Sequence, residues 1–175
     1  ARGVTLGAVR ADRRRFLGWL SGASAALFAG IALVRGSGYV VSEAARARLK
    51  VLAPWQFVVV EAIGQRIVAP ERADVGFFVD GFARGLADQD RDELLGLIGF
   101  VEQLAPLAVG LGPRFTQLLP DEQDRVLAWL EQNPVGLVRG GFAALKALAM
   151  MAYYRQDEAF ERLGYGGPVV RWSVR

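Results

Sequence analysis

The sequence predicts an all-α fold with one transmembrane helix near the N-terminus, followed by a compact domain of six to seven helices. Residues 16–34 form an uncharged run. Elsewhere, apolar residues recur every three or four positions, which is the spacing of one helix face, and no stretch alternates with the period of two typical of strands. We therefore expect a basic arm over residues 1–15, a membrane anchor over 16–34 and a helical domain over 36–175.

The start of the chain is typical of a twin-arginine export signal, in which paired arginines precede a Phe-Leu pair and an apolar run. The signal residues are Arg13, Arg14, Arg15, Phe16 and Leu17. A helix over residues 16–34 would be about 28 Å long, close to the ~30 Å hydrocarbon core of a bilayer. Because residues 35–39 make a poor cleavage site, we expect a retained anchor. Asp12 stands where Ser or Thr usually precedes the arginines, so an ordinary anchor with a basic flank stays open.

Charge is concentrated in the arm. Residues 1–15 carry five arginines and one aspartate, whereas the rest of the chain carries 16 basic and 17 acidic side chains. The positive-inside bias therefore predicts a single span in the inner membrane, with a cytoplasmic N-terminus and a periplasmic domain. The body has no basic excess, which argues against nucleic-acid binding. Gly18 and Gly22 either pack against another membrane helix or reflect the small-residue composition of export signals.

Missing residue types limit the chemistry. The chain has no His and no Cys, which excludes thiolate metal sites, iron–sulfur clusters, covalent haem, disulfides and Ser-His or Cys-His catalysis. It also lacks the glycine-rich phosphate loops. Two acidic clusters remain, and both fall in predicted first helical turns, where the helix dipole favours acids. They are Asp90, Asp92 and Glu93, and Asp121, Glu122 and Asp124. We expect no catalytic residue, no metal and no cofactor in this chain.

The first three helices of the domain follow from capping and spacing. Ser42 is expected to cap a short helix that ends at about Leu52. Pro54 suits the first position of a helix through Val68. Asp74 is expected to cap the next helix. The predicted buried face of that third helix is Val75, Phe78, Val79, Phe82 and Leu86.

The later helices are longer. A helix is predicted over residues 90–111 with a kink at Pro106, and another begins at Pro120. The helix over 134–154 is apolar almost all round, so it is either the central core helix or partly covered by another protein. A short helix over 157–163 and an extended tail complete the chain. Charges within these helices argue against further membrane spans.

Several short motifs follow one another in a recognisable order between Val41 and Pro168. The early ones are residues 67–70 before 73–75, then Phe78-Val79-Asp80. The most specific is a tyrosine pair on a late apolar helix, followed by a Leu-Gly-Tyr-Gly-Gly-Pro ending. The residues of this later motif are Leu145 to Ala149, Tyr153, Tyr154, Phe160 and Leu163 to Pro168. In their order and spacing these motifs resemble the gluconate 2-dehydrogenase subunit 3 family.

The resemblance implies a non-catalytic accessory subunit that matures and exports a large flavoprotein dehydrogenase for sugars or polyols. FAD would then be bound by the partner. The long anchor also leaves open a structural subunit of another membrane complex, respiratory or photosynthetic. Tyrosine and tryptophan are favoured at interfaces, although either tyrosine of the pair could instead pack inside. The candidate interface residues are Tyr153, Tyr154, Tyr165, Pro168 and Trp172.

Overall fold

The computed structural model describes residues 38–68 and 74–156, which form seven α-helices and one 3₁₀ turn, with no strand among them. The all-α class is therefore confirmed for these residues. Every element belongs to the second of two units into which the chain divides, Val40–Arg175. The helices are α1 (Glu43–Arg48), α2 (Pro54–Ile67), α3 (Val75–Arg84), α4 (Asp88–Gln103), α5 (Ala105–Ala108), α6 (Pro120–Glu131) and α7 (Gly136–Tyr154), with the 3₁₀ turn at Phe115–Gln117.

Helices α2 and α6 begin in the same way, with proline at the first position and a polar side chain two residues later. The Gln56 side-chain oxygen accepts a hydrogen bond from the backbone N–H of Ala53 at 2.8 Å. Glu122 accepts one from the backbone N–H of Leu119 at 3.0 Å. Each contact is one half of a capping box and binds an N–H group at the helix start. The predicted starts at Pro54 and Pro120 are therefore correct.

Two glycines allow α2 and α3 to approach closely. A Cβ atom added to Gly64 would lie 2.7 Å from Cγ2 of Val75, and one added to Gly76 would lie 2.5 Å from Cε2 of Phe57. Both distances are far below the ~3.5–4.0 Å of ordinary carbon contacts. The ring centroids of Phe57 and Phe77 are 4.8 Å apart across the same interface. The glycines therefore set the spacing of this helix pair.

The helix predicted over residues 90–111 is in fact two helices. Helix α4 ends at Gln103, and the short α5 begins at Ala105 with Pro106 in its first turn. Proline has no N–H and its ring clashes with the preceding turn, so the long helix breaks there. The chain then turns at Gly110, whose φ of 79° lies in the left-handed region that favours glycine. Near the kink predicted at Pro106, the helix is thus interrupted for one residue, Leu104.

The apolar core lies where α2 meets its neighbours. Helix α2 packs against α3, α4, α7 and the 3₁₀ turn, and α7 also packs against α3 and α6. Burying a large apolar side chain contributes roughly 1.5–3 kcal/mol, so this core supplies the main stabilisation. The largest fully buried apolar side chains are Val59, Val79, Ile98, Val101, Phe115, Val126 and Leu130.

Three local predictions were wrong. Helix α1 ends at Arg48 and not near Leu52, because the backbone of residues 50–52 binds Asp80 instead of continuing the helix. Phe82, predicted to be in the core, is 41% exposed, while Asp80 is only 4% exposed. Helix α3 therefore turns Asp80 inward. Asp74 stands at the start of α3, but its side chain makes no capping bond.

No helix within the described ranges 38–68 and 74–156 is long and apolar enough to cross a membrane. The sequence likewise predicted no span beyond the N-terminal one. The predicted arm over 1–15, the predicted anchor over 16–34, and the predicted helix over 157–163 with its tail lie outside the described residues.

Candidate interaction surface

The buried carboxylate of Asp80 binds the chain segment between α1 and α2. Its Oδ1 accepts hydrogen bonds from the backbone N–H groups of Val51 at 2.9 Å and Leu52 at 2.8 Å, and its Oδ2 accepts one from Lys50 at 3.0 Å. Successive N–H groups that converge in this way form a site for an anion. The chain's own carboxylate fills that site, so Asp80 has a structural role.

Glu102 is fully buried and holds the loop after α5. Its carboxylate accepts hydrogen bonds from the hydroxyl of Thr116 at 2.7 Å and from the Thr116 backbone N–H at 3.1 Å. The guanidinium Nε of Arg114, also buried, lies 3.4 Å from Glu102 Oε1. A buried charge needs partners of this kind to offset its lost hydration. Glu102 is therefore committed to holding the 3₁₀ turn against α4.

Glu61 joins α2 to the start of α3. Its Oε1 accepts a hydrogen bond of 2.6 Å from the backbone N–H of Gly76. Burial raises the pKa of Glu61, the negative charge of Asp74 raises it further, and the bond from Gly76 opposes that shift. A raised carboxyl pKa is common at catalytic sites. Here, however, the Glu61 carboxylate binds a backbone N–H at the start of α3, where the Asp74 side chain makes no capping bond.

The prediction that both acidic clusters lie in first helical turns is confirmed for Asp90, Asp121 and Glu122. It is wrong for Asp92, Glu93 and Asp124, which lie in the second turn of their helices. Asp124 accepts two hydrogen bonds from the guanidinium of Arg66 on α2, and that bonding lowers the pKa of Asp124. Within the described part of the chain, no group of three acidic side chains is placed to hold a metal ion. The first-turn acids are Asp88 and Asp90 in α4, and Asp121 and Glu122 in α6.

One whole side of α7 is exposed and carries no charge. Its side chains recur at intervals of three and four residues, so they share one side of the helix. Met151 is 47% exposed and Tyr154 is 40% exposed. The exposed side of a helix is normally polar, and a helix that is apolar all round is normally covered. The exposed residues, which we name the α7 face, are Gly140, Ala143, Ala144, Ala147, Met150, Met151 and Tyr154.

The opposite side of α7 is the part of the helix that enters the core. The sequence left two roles open for this helix, the central core helix or one partly covered by another protein. The structure places one side of it in the core and leaves the other side exposed. Amino-acid composition alone did not separate the two sides, since both are apolar. The buried residues of α7 are Phe142, Leu145, Leu148, Ala149 and Ala152.

Cations line one edge of the α7 face. Arg139 precedes Ala143 by four residues and Lys146 precedes Met150 by four, so both cations lie beside the face on the same edge. Lys146 forms a 2.7 Å salt bridge to Glu131. Arg139 donates a hydrogen bond of 2.7 Å to the carbonyl oxygen of Asn133. Helix α7 itself contains no acidic residue.

The tyrosine pair lies at the C-terminal end of this face. The ring centroids of Tyr153 and Tyr154 are 5.3 Å apart and their planes meet at 75°, an edge-to-face arrangement. Tyr153 is half-buried and Tyr154 is exposed. The guanidinium of the next residue, Arg155, lies 5.3 Å from the ring centre of Phe78 on α3. Tyr153 is thus partly covered by the rest of the domain, and Tyr154 belongs to the α7 face.

The remaining candidate residues lie outside the described ranges. The structure therefore neither brings them together nor separates them from the α7 face. They are the export-signal residues Arg13, Arg14, Arg15, Phe16 and Leu17, the glycines Gly18 and Gly22, and the tail residues Tyr165, Pro168 and Trp172.

Comparison with known proteins found no match among family models, curated sequences or solved structures. The similarity to the gluconate 2-dehydrogenase subunit 3 family therefore stays a prediction that rests on the residues quoted for it.

Proposed function

We propose that this chain is a non-catalytic, membrane-anchored accessory subunit that binds and stabilises a larger protein and helps to export it. The partner is a flavin-dependent dehydrogenase of sugars or polyols. The partner binds the FAD and carries out the reaction. The accessory domain stands on the periplasmic side of the inner membrane.

The observation that carries this proposal is the exposed, uncharged α7 face. Exposed apolar patches on a folded protein usually mark a contact with another protein or with a membrane. This face combines two methionines, which adapt to irregular partners, with one tyrosine, which is favoured at binding hot spots. The buried acids Asp80 and Glu102 are meanwhile occupied with backbone and side-chain partners of the domain itself.

The leader supports the export part of the proposal. A twin-arginine signal sends its cargo through a route that accepts folded proteins, so a folded partner without its own signal can travel with this chain. The family resemblance over residues 41–168 supports the identity of the partner as a flavoprotein. Both arguments come from the sequence.

A second candidate is a structural subunit of another membrane complex, of the respiratory or photosynthetic kind. The observation that favours it is the long uncharged run over residues 16–34, which is followed by a poor cleavage site. A permanent anchor suits a lasting place in a membrane assembly, and the α7 face would then contact a different neighbour.

The test is purification of the intact chain from its native membranes in mild detergent, followed by mass analysis and absorption spectroscopy of what accompanies it. A flavin spectrum together with a larger polypeptide is the result we expect. Haem or chlorophyll bands without flavin would favour the second candidate. A chain that purifies alone at every detergent and salt concentration would refute both, since each requires a stable partner.

A further inference from the structure

We infer that the α7 face is the seat for one α-helix of the partner, and that this helix presents an uncharged face to α7 and an acidic side chain to Arg139. This inference rests on the proposed function, because it takes the existence of a partner as given. Beyond the proposed function, the inference specifies the kind of surface with which the partner binds.

The size of the face fits one helix. From Gly140 to Tyr154 the helix is about 22 Å long, and an α-helix with its side chains is about 10 Å wide, so the face offers on the order of 200 Å². A standard stable interface buries roughly 800 Å² on each partner. Two copies of this chain that met only through their α7 faces would fall well short of that. A larger partner can place one helix here and add contacts elsewhere.

The shape of the face also suits a helix. Small residues occupy its N-terminal half, and a Cβ atom added to Gly140 would meet nothing within 4 Å. Small residues let two helix backbones approach closely. The C-terminal half carries Met150, Met151 and Tyr154, whose side chains project further from the helix. A partner helix would therefore lie against the small residues and contact the larger side chains at one end.

The charges at the edge disfavour a second copy packed antiparallel and suit a partner with an acidic edge. Arg139 and Lys146 lie along one edge, and α7 offers no acidic residue to oppose them. Lys146 is already paired with Glu131, whereas Arg139 forms no salt bridge within the described residues and bonds only a carbonyl oxygen. A second α7 would bring like charges together, whereas a helix with an acidic edge would give Arg139 a counter-charge.

The direct test is photo-crosslinking in the organism that makes this chain. A benzophenone amino acid is placed at Ala143, Ala147 or Met151 of the full chain, and at the exposed Ala128 on α6 as the matched control. We expect face positions to crosslink to one other polypeptide and Ala128 not to. The crosslinked peptides must map to a single segment, with contacts spaced three and four residues apart and no charge among the contacting residues.

Charge variants provide the second measurement. Ala147→Arg should reduce the amount of co-purified partner at least tenfold and Arg139→Glu should reduce it severalfold, because the first buries a charge and the second reverses the edge. Ala128→Arg should change nothing. Ala147 and Ala128 are exposed and have no side-chain bonds to lose, so thermal unfolding followed by circular dichroism should be the same for their variants as for the native chain. Arg139→Glu also loses the hydrogen bond to the Asn133 carbonyl oxygen, so its loss of partner is compared with its own thermal unfolding.

Several results would overturn the inference. Crosslinks from Ala147 to a second copy of the chain, to residues 157–175 of the same chain, or to lipid alone would each assign the face to another occupant. A partner that co-purifies equally well with Ala147→Arg would leave the proposed function standing and refute this seat. If no partner accompanies even the native chain, the proposed function itself fails.

Discussion

Asp80 shows how one side chain can decide the path of the backbone. It lies on α3, yet it accepts hydrogen bonds from residues 50, 51 and 52, about thirty positions earlier. Those N–H groups would otherwise belong to a longer α1 or face solvent. A carboxylate that accepts several backbone N–H groups is bound more strongly than a neutral acceptor would be. This contact closes the connection between α1 and α2.

Replacing Asp80 should therefore destabilise the domain in a graded way. We expect Asp80→Ala to lower the free energy of unfolding by about 3 kcal/mol, since it leaves several backbone donors without an acceptor. Asp80→Asn keeps one oxygen and should lose about half of that. Urea denaturation followed by circular dichroism measures both. The exposed Asp92→Asn is the control, expected within about 0.5 kcal/mol of the native chain, and an equal effect of Asp80→Ala and Asp92→Asn would contradict the assignment.

Glu61 makes stability depend on pH. Its pKa is raised above the ordinary 4.5, chiefly by burial, so the folded state holds the proton more tightly than the unfolded state. The contribution of Glu61 is therefore greatest below pH 4.5 and falls as the pH rises through the folded-state pKa. Glu61→Gln stays neutral and keeps an oxygen for the Gly76 N–H, so this loss should be absent in the variant.

The expected result is a difference that grows with pH. Between about pH 4 and pH 7, the free energy of unfolding of Glu61→Gln should rise relative to that of the native chain. Urea titrations at several pH values measure this difference, and the exposed Glu43→Gln provides the control. A difference that is constant over the range would show that Glu61 does not titrate differently in the folded state.

At the scale of the element, the contact of α2 with α3 depends on the absence of a side chain at Gly76. The α3 helix contains a second glycine, Gly81, where an added Cβ would meet nothing within 4 Å. The two positions share the same helix and the same residue type, and they differ in what lies opposite. Comparing alanine at these two positions therefore separates the steric cost of a methyl group between α2 and α3 from the effect of alanine on helix propensity.

Gly76→Ala should destabilise the domain by about 2 kcal/mol, because the new methyl group overlaps the ring of Phe57 and the carboxylate of Glu61. Gly81→Ala should stabilise it by about 0.5–1 kcal/mol, since alanine favours the helix. Thermal and urea unfolding of the two variants test this directly. Were Gly76→Ala as stable as Gly81→Ala, the close approach of α2 and α3 would be wrong.

At the scale of the whole molecule, α7 has one side that is buried in the core and one side that is exposed. Leu148→Ala should cost about 3 kcal/mol of unfolding free energy, because it leaves a cavity in the core. Met151→Ala should change stability by less than about 0.5 kcal/mol, because the side chain is exposed. Urea unfolding of the purified chain compares them. An equal loss in Met151→Ala would mean that the chain itself covers the α7 face.

The proposed export route gives a whole-molecule prediction as well. Changing Arg13 and Arg14 together to lysine keeps the charge of the arm but not the guanidinium groups that the signal is read by. We expect the domain to stay on the cytoplasmic side. Because the chain has no cysteine, Val40→Cys gives a single probe for a membrane-impermeant maleimide. The control is Arg2→Lys with Arg10→Lys, and normal export of both variants would indicate an ordinary signal anchor.

Much of the helical framework was predictable because its causes are local. Ser42 caps α1, and Pro54 and Pro120 start α2 and α6, as predicted; each effect acts within one turn of helix. The break at Pro106 is local too. The all-α class follows from the same periodicity, which is repeated in each segment. For the candidate surface, the sequence indicated only that α7 is too apolar to be an ordinary surface helix.

Tertiary structure alone decided which groups meet over long separations. The inward turn of Asp80, the end of α1 at Arg48 and the exposure of Phe82 all depend on how α3 lies against residues 50–52. Whether a given side of α7 faces the core depends on where α2, α3 and α6 pack. Local spacing sets the period of a helix, but the rotation of that helix about its axis is set by its neighbours, so the α7 face became visible only in the folded domain.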